Sequence, residues 1–192
     1  MQVEQSQVED KVSSTLTKAL AFGESAHASG KYTIECRDSE GNLKWTLEPK
    51  NLVVNEGLQD MNAQYFKAVG YTAAWFIGLY GAAASNNPTA TDTAASHPGF
   101  TEIVPYSNAT RPAATFGTAT TANPSVQTNS ASPAAFTINA TATVGGAFLI
   151  SNNTKSGTTG VLFSASDFTA PGDRVVASGD VLNVSYTFSL AG

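Results

Sequence analysis

The chain has 192 residues, 42% of them hydrophobic, which is enough to bury a core and excludes wholesale disorder. Only 13% are charged and the net charge is −5, so the surface is mostly neutral and polar, and a phosphate-tracking nucleic-acid face is not expected. Cys36 is the single cysteine, which excludes an internal disulfide and a multi-cysteine metal site.

Residues 1–29 read as an N-terminal arm. Ser6-Gln7-Val8-Glu9 fits a capping box, and Val8, Val12, Leu16 and Leu20 then recur every fourth residue, with Gly23 as a stop. The expected helix has about four turns and a narrow apolar stripe, marginal alone in water. It therefore needs something to lie against, either its own domain or a neighbouring subunit. The following "AFGESAHASG" is a linker by composition, with His27 in it. No basic-then-apolar leader opens the chain, and no apolar run nears the ~18 residues of a membrane span. A soluble protein made in a cytoplasm is expected.

From Gly30 the period becomes two. "KYTIECR" and "NLKWTLEP", joined by "DSEG", predict a β-hairpin with Tyr32, Ile34 and Cys36 on one face and Leu43, Trp45 and Leu47 on the other strand's matching face. "NLVV" predicts a short strand. Asn55 is placed to cap a helix through "EGLQDMNAQYFKAV", whose apolar face of Leu58, Met61, Tyr65, Phe66 and Val69 is expected to pack on the sheet. Ala73–Tyr80 is apolar on both faces and predicts a central, doubly covered strand with Trp75 as a core anchor. Both tryptophans read as core.

A long opening loop, Ala82–Phe100, follows. It carries one charge, Asp92, and a loop of this length is either functional or disordered. Beyond it, "AATFGTATT" is a candidate strand and "ANPSVQTNSASP" a connection. "AAFTINATATV" alternates, and Gly145-Gly146 offers a turn into "AFLIS". "VLFSA" is another strand. "RVVAS" and "VLNVSYTFSL" read as a hairpin joined by Gly179-Asp180. Seven to nine strands with Gly/Pro turns predict a mainly β fold, a β-sandwich or jelly-roll-like domain over 30–192 with one packing helix, preceded by the 1–29 helical arm.

Charge is uneven: residues 1–67 hold 7 Lys/Arg and 10 Asp/Glu, against 3 and 5 in residues 68–192. A surface so poor in charge suits packing against other protein. Motifs for catalysis are absent. No G-x-S-x-G elbow occurs, and Lys155-Ser156 lacks the preceding glycines of a phosphate loop. His97 stands in a His-Pro-Gly turn, and Asp167 and Asp173 flank "FTAPG" as turn-capping groups. No cofactor, metal or catalytic residue is expected, and no enzyme activity.

Longer stretches carry a resemblance. "NLVVNEGLQDMNAQYF", "YTAAWFIGLYGAAA", "DTAASHPGFTEIVPYSNATRP", "AAFTINATATVGGAFLISNNTKSGTTGVLFSASDF" and "SGDVLNVSYTFSL" resemble small virion proteins of tailed bacteriophages, over residues 30–192. The resemblance implies a structural subunit, most like a capsid decoration or cement protein. It would sit on the capsid exterior, bound to the major capsid protein as a dimer or trimer, after synthesis in the host cytoplasm. Neither nucleic acid nor membrane is implied as a partner. The resemblance carries no catalytic motif. Under it the loop and the arm become gripping elements, with Val8, Val12, Leu16, Leu20, Asn86, Asn87, His97 and Phe100 as candidate partner contacts. The alternative is a tail or receptor-binding β-module that contacts a host glycan or another tail protein.

Overall fold

The computed structural model describes residues 25–49, 51–67, 74–81, 88–168 and 172–192. The expected arm helix, with Val8, Val12, Leu16 and Leu20, and the loop residues Asn86 and Asn87 lie outside the described residues. In chain order the elements are β1 (His27–Arg37), β2 (Leu43–Leu47), β3 (Asn51–Val53), α1 (Asn55–Lys67), β4 (Phe76–Gly81), β5 (Glu102–Ile103), β6 (Ser125–Thr128), β7 (Ala134–Thr137), β8 (Ala142–Ile150), β9 (Leu162–Asp167), β10 (Arg174–Val176) and β11 (Val181–Ala191).

Two antiparallel sheets form a β-sandwich-like domain. The first has the order β2-β1-β11-β6, with β7 pairing the opening half of β11 and β6 its closing half. The second has the order β3-β9-β8-β4-β5, and β10 pairs the start of β8. Alternation explains the inner faces. Tyr32, Ile34 and Cys36 of β1 and Leu182, Val184 and Tyr186 of β11 meet Ile77, Leu79, Leu149 and Phe163 of the opposite sheet in one buried cluster. Tyr32 ties the layers together, its hydroxyl lying 2.9 Å from Ser164 Oγ.

The expected β1–β2 hairpin forms, with a bulge that displaces Lys44 from the pairing and leaves Leu43 exposed. β1 begins at His27, three residues before the period changes, because His27–Ser29 pair with Ser189–Ala191. His27 is therefore a strand residue, not part of a linker.

Several connections differ from expectation. The alternating run from Ala134 is two strands in different sheets, β7 in the first and β8 in the second. Gly145-Gly146 makes no turn. The pairing of β4 with β8 slips at Tyr80/Gly81, so Gly145 is an extra residue and the pair marks a bulge within β8. "RVVAS" and "VLNVSYTFSL" are not a hairpin either, since β10 pairs with β8 whereas β11 pairs with β1. Ala177–Asp180 is instead a corner between the sheets, with Gly179 at φ +95°. "AATFGTATT" holds only an isolated bridge, Phe76 to Ala113, and β6 arises within the supposed connection.

Asp180 holds that corner. Its carboxylate accepts bonds from the Ala177 N–H at 2.9 Å, the Lys44 ammonium at 2.6 Å and, weakly, the Cys36 thiol at 3.7 Å. Burial pushes the Asp180 carboxyl up, but those donors together outweigh it and hold it below the usual carboxylate value. The folded value is thus lower than the unfolded value of about 3.9. The resulting stabilisation is complete above that pH and is lost as pH falls through the folded value. Urea midpoints measured across this acid range should fall less steeply for Asp180→Asn than for the natural chain, and an equal acid limb would show that Asp180 is not responsible.

Candidate functional site

The second sheet is covered on both faces. Its inner face meets the first sheet. Against its outer face lie Tyr80, Phe148, Ile150, Leu162 and Ala165, with Val54, Ala94 and Phe100. Residues 88–100 are therefore a lid on their own domain. The Asp92 carboxylate closes the first turn, accepting the Thr89 N–H and hydroxyl at 2.9 and 2.8 Å. The Asn55 N–H donates to the Ala90 carbonyl at 2.8 Å.

This placement corrects the expectation for Phe100. The side chain is 4% exposed and packs between the rings of Tyr80 and Phe148, with centroids at 4.9 and 5.5 Å. It is core and offers no surface to a partner. His97 stacks edge-on against Phe100 at 4.5 Å and is half-buried above it. Burial lowers the His97 pKa, and the pull of Asp92 and Glu102 in the opposite direction does not offset it, so the ring is neutral at pH 7.

His97 borders a depression of about 230 Å³ with Thr101, Glu102, Ser156 and Gly157. Its two carboxylate neighbours are committed elsewhere. Asp92 caps its turn. Glu102 forms a two-pronged ion pair with Arg111, at 2.9 and 2.7 Å, and accepts the Ser156 N–H at 2.6 Å. Arg111 also donates to the carbonyls of Asn152 and Gly157. The cluster ties β5 and the loop after it to the loop after β8. Among the described residues no group of three or more His, Cys, Asp or Glu is arranged to hold a metal. Burial raises the Asp167 carboxyl above the usual carboxylate value, and the charge of Asp173 adds to it.

The surface that stands out is around α1. Its first turn is clamped. Glu56 accepts the N–H groups of Ala94 and Leu162 at 2.8 and 2.7 Å, joining helix, lid and β9. Gly57 lies so close to β9 that a Cβ there would sit 2.5 Å from the Phe163 carbonyl oxygen. The later turns are not packed as their apolar period predicts. Leu58 is partly exposed, Tyr65 is 82% exposed and Phe66 is 78% exposed, the two rings meeting edge to face at 5.0 Å. Val69 lies outside the described residues.

Between α1 and the end of the sandwich runs an open groove of about 800 Å³. Met61 and Tyr65 form the helical wall. Trp75, Phe116, Phe163 and Phe188 form the other, so the groove is an outward continuation of the core aromatics. Phe163 lies 5.3 Å from Trp75 and 5.5 Å from Phe188. Trp75 is thus a half-buried groove residue rather than a core anchor. Asp60, Gln64 and Gln127 supply polar groups along it.

The sequence signal for this surface was present but ambiguous. Adjacent helical residues point about 100° apart, so Tyr65 and Phe66 cannot both face one sheet. No protein-family model, curated protein or solved structure matches the chain.

Proposed function

We propose that the chain is a non-enzymatic structural protein of a bacteriophage virion, which binds the major capsid protein lattice from outside and stabilises the head. One observation supports this reading most: a charge-poor β-sandwich presents an aromatic helix face, Tyr65 and Phe66, to solvent beside an apolar groove. Exposed aromatics of this kind are typical anchors of protein interfaces, filling pockets on the partner at low entropic cost. Many copies on a lattice add avidity, so each contact need only be modest. The phage-like stretches over residues 30–192 supply the identity of the lattice.

The experiment is co-sedimentation of the purified chain with capsids stripped of it, counting copies per particle. Saturation at a number commensurate with the lattice supports decoration. Binding to tails or host cells, with none to heads, refutes it.

A second reading has its own support. Tyr65 stands beside Asp60 and Gln64 along the groove, an aromatic platform next to hydrogen-bonding side chains of the sort that bind sugars. A tail or receptor-binding module would use it to contact a host glycan, and glycan-array binding separates this reading from the first.

Replacing both exposed rings, Tyr65→Ser with Phe66→Ser, removes little buried area and should shift folding stability by no more than about 0.5 kcal/mol. Capsid affinity should fall at least about tenfold, as expected when an aromatic anchor is truncated. Undiminished binding, measured by the same sedimentation, would place the contact elsewhere on the molecule.

A further inference from the structure

We propose that Asp167, Asp173 and the Tyr80 hydroxyl form a binding site for one calcium ion on the outer face of the second sheet. The inference is independent of the capsid reading.

Strand register gathers the three groups. Tyr80 of β4 lies opposite Gly146 of β8, and Gly146 lies opposite Asp167 of β9. They form one row two strand spacings wide, about 10 Å, and residues directly opposite one another share a face. Tyr80 belongs to the outer cluster with Phe100 and Phe148, so Asp167 is on the outer face too. Gly146 leaves the middle of the row without a side chain, and Tyr80 fills that space. A Cβ at Gly146 would overlap the ring carbon and the hydroxyl of Tyr80. The ring thus carries its hydroxyl across β8 toward Asp167.

β10 brings the second acid to the same place. Arg174 lies opposite Val144, on the side of β8 that β9 also uses, because β4 pairs with the other side. Only Gly145 separates that pairing from the pairing of Gly146 with Asp167, and the Phe168 N–H donates to the Gly145 carbonyl at 2.9 Å. Val176 is in the inner core and Val175 is exposed. Alternation therefore puts Asp173 on the outer side with Asp167, and Arg174 on the inner side.

The three groups lack partners of the kind found elsewhere in the domain. Tyr80 is 0% exposed, and its hydroxyl has no hydrogen-bond partner among the described residues. Among the described residues neither Asp167 nor Asp173 forms an ion pair, whereas Asp180 has Lys44 and Glu102 has Arg111. Burial raises the Asp167 carboxyl and the Asp173 charge adds to it, so the two acids disfavour each other's ionisation. A divalent cation removes that repulsion and gives the hydroxyl oxygen a partner. Calcium suits the set better than magnesium, because it accepts an irregular shell of oxygens while magnesium demands an octahedron. Asp173 is exposed at the rim and Asp167 is half-buried, so water reaches one side and completes the shell. With only two carboxylates the affinity belongs at the weak end of protein calcium sites, about 1 mM.

The test uses the full chain, freed of metal with a chelator. Equilibrium dialysis should show one calcium bound per chain, half-saturated at about 1 mM. About 10 mM calcium at constant ionic strength should raise Tm by about 4 °C, since the ion binds only the folded chain. Asp173→Asn changes an exposed side chain, so Tm in chelator should hold while calcium affinity falls at least about tenfold, through loss of a charged ligand. Tyr80→Phe keeps the ring and removes only the unbonded hydroxyl. It should fold as the natural chain does and bind calcium about threefold more weakly. No calcium bound by the natural chain overturns the proposal, whatever the variants do. Binding left intact in Asp173→Asn also overturns it, and would place the ion at other carboxylates.

Discussion

Arg111→Ala should cost the domain about 3–5 kcal/mol, the usual penalty for removing one partner of a buried ion pair. The side chains of Arg111 and Glu102 are 2% and 4% exposed, so water cannot replace the lost guanidinium. Three groups lose their donor at once: the Glu102 carboxylate and the carbonyls of Asn152 and Gly157. The guanidinium also lies 5.3 Å above the Phe148 ring, so the packing of the second sheet's outer face loses a contact as well. For a chain of this size each kcal/mol lowers Tm by about 2–4 °C, and a fall on the order of 10 °C is expected by calorimetry. Arg111→Lys should recover little, because a single ammonium cannot serve two carboxylate oxygens and two carbonyls in a planar fork. Glu102→Gln should be milder than Arg111→Ala, since its amide oxygen still accepts from Ser156 or Arg111. A double-mutant cycle with Arg111→Met and Glu102→Leu should give a coupling of the order of the single losses. Independent, additive losses would show that the pair is not the unit that joins the two loops.

None of this cluster was visible in the sequence. Arg111 and Glu102 are nine residues apart, and Asn152 and Gly157 are brought to them by β8. What the residues do encode is face, not partner. The period of two in Tyr32, Ile34 and Cys36 and in Leu182, Val184 and Tyr186 correctly separates inner from outer side chains. The same period runs unbroken from Ala134 to Val144, although the chain leaves one sheet and enters the other on the way. Alternation says that a side chain is buried, and both inner faces bury alike. The supposed hairpin before Val181 fails for that reason too.

β6 was missed for the opposite reason. Ser125–Thr128 is half-exposed throughout and has no apolar rhythm, and it is a strand only because Thr187–Leu190 of β11 offer it backbone partners. Helical periodicity has the same limit. Leu58, Met61 and Tyr65 share a stripe, but a stripe does not say what covers it, and here the clamp at Glu56 and Gly57 holds only the first turn to β9. The long loop, a gripping element under the phage resemblance, shows another limit: within its described residues Ala94 and Phe100 cover the domain's own second sheet. The groove could not be read at all, because its walls combine residues as distant as Met61 and Phe188.

Gly146→Ala should be nearly as damaging, by about 3 kcal/mol, at the upper end of the cost of overpacking a core. The backbone at Gly146 needs no positive φ, so the cost is purely one of space. An added methyl would overlap the ring carbon and hydroxyl of Tyr80 and the carbonyl of Ser166. Tyr80 is held from the other side by Phe100, and Ser166 is backbone in a paired strand, so neither can give way cheaply. If Tyr80 moves, Phe100 and the 88–100 lid move with it. The Ala94 N–H that Glu56 accepts is then displaced, and α1 loses part of its clamp. Loss of stability and loss of the α1 surface should therefore appear together in Gly146→Ala, whereas Tyr65→Ser with Phe66→Ser separates them. Gly146→Ala combined with Tyr80→Leu should recover only part of the loss, because the overlap with the Ser166 carbonyl remains. Gly117→Ala is the control, since the nearest atom to its Cβ would be the Thr128 carbonyl at an ordinary 3.6 Å. It should be neutral or stabilising by up to about 1 kcal/mol through the unfolded chain. Equal chemical-denaturation midpoints for Gly146→Ala and Gly117→Ala would mean that the bulge in β8 opens freely and that Tyr80 does not pin the lid.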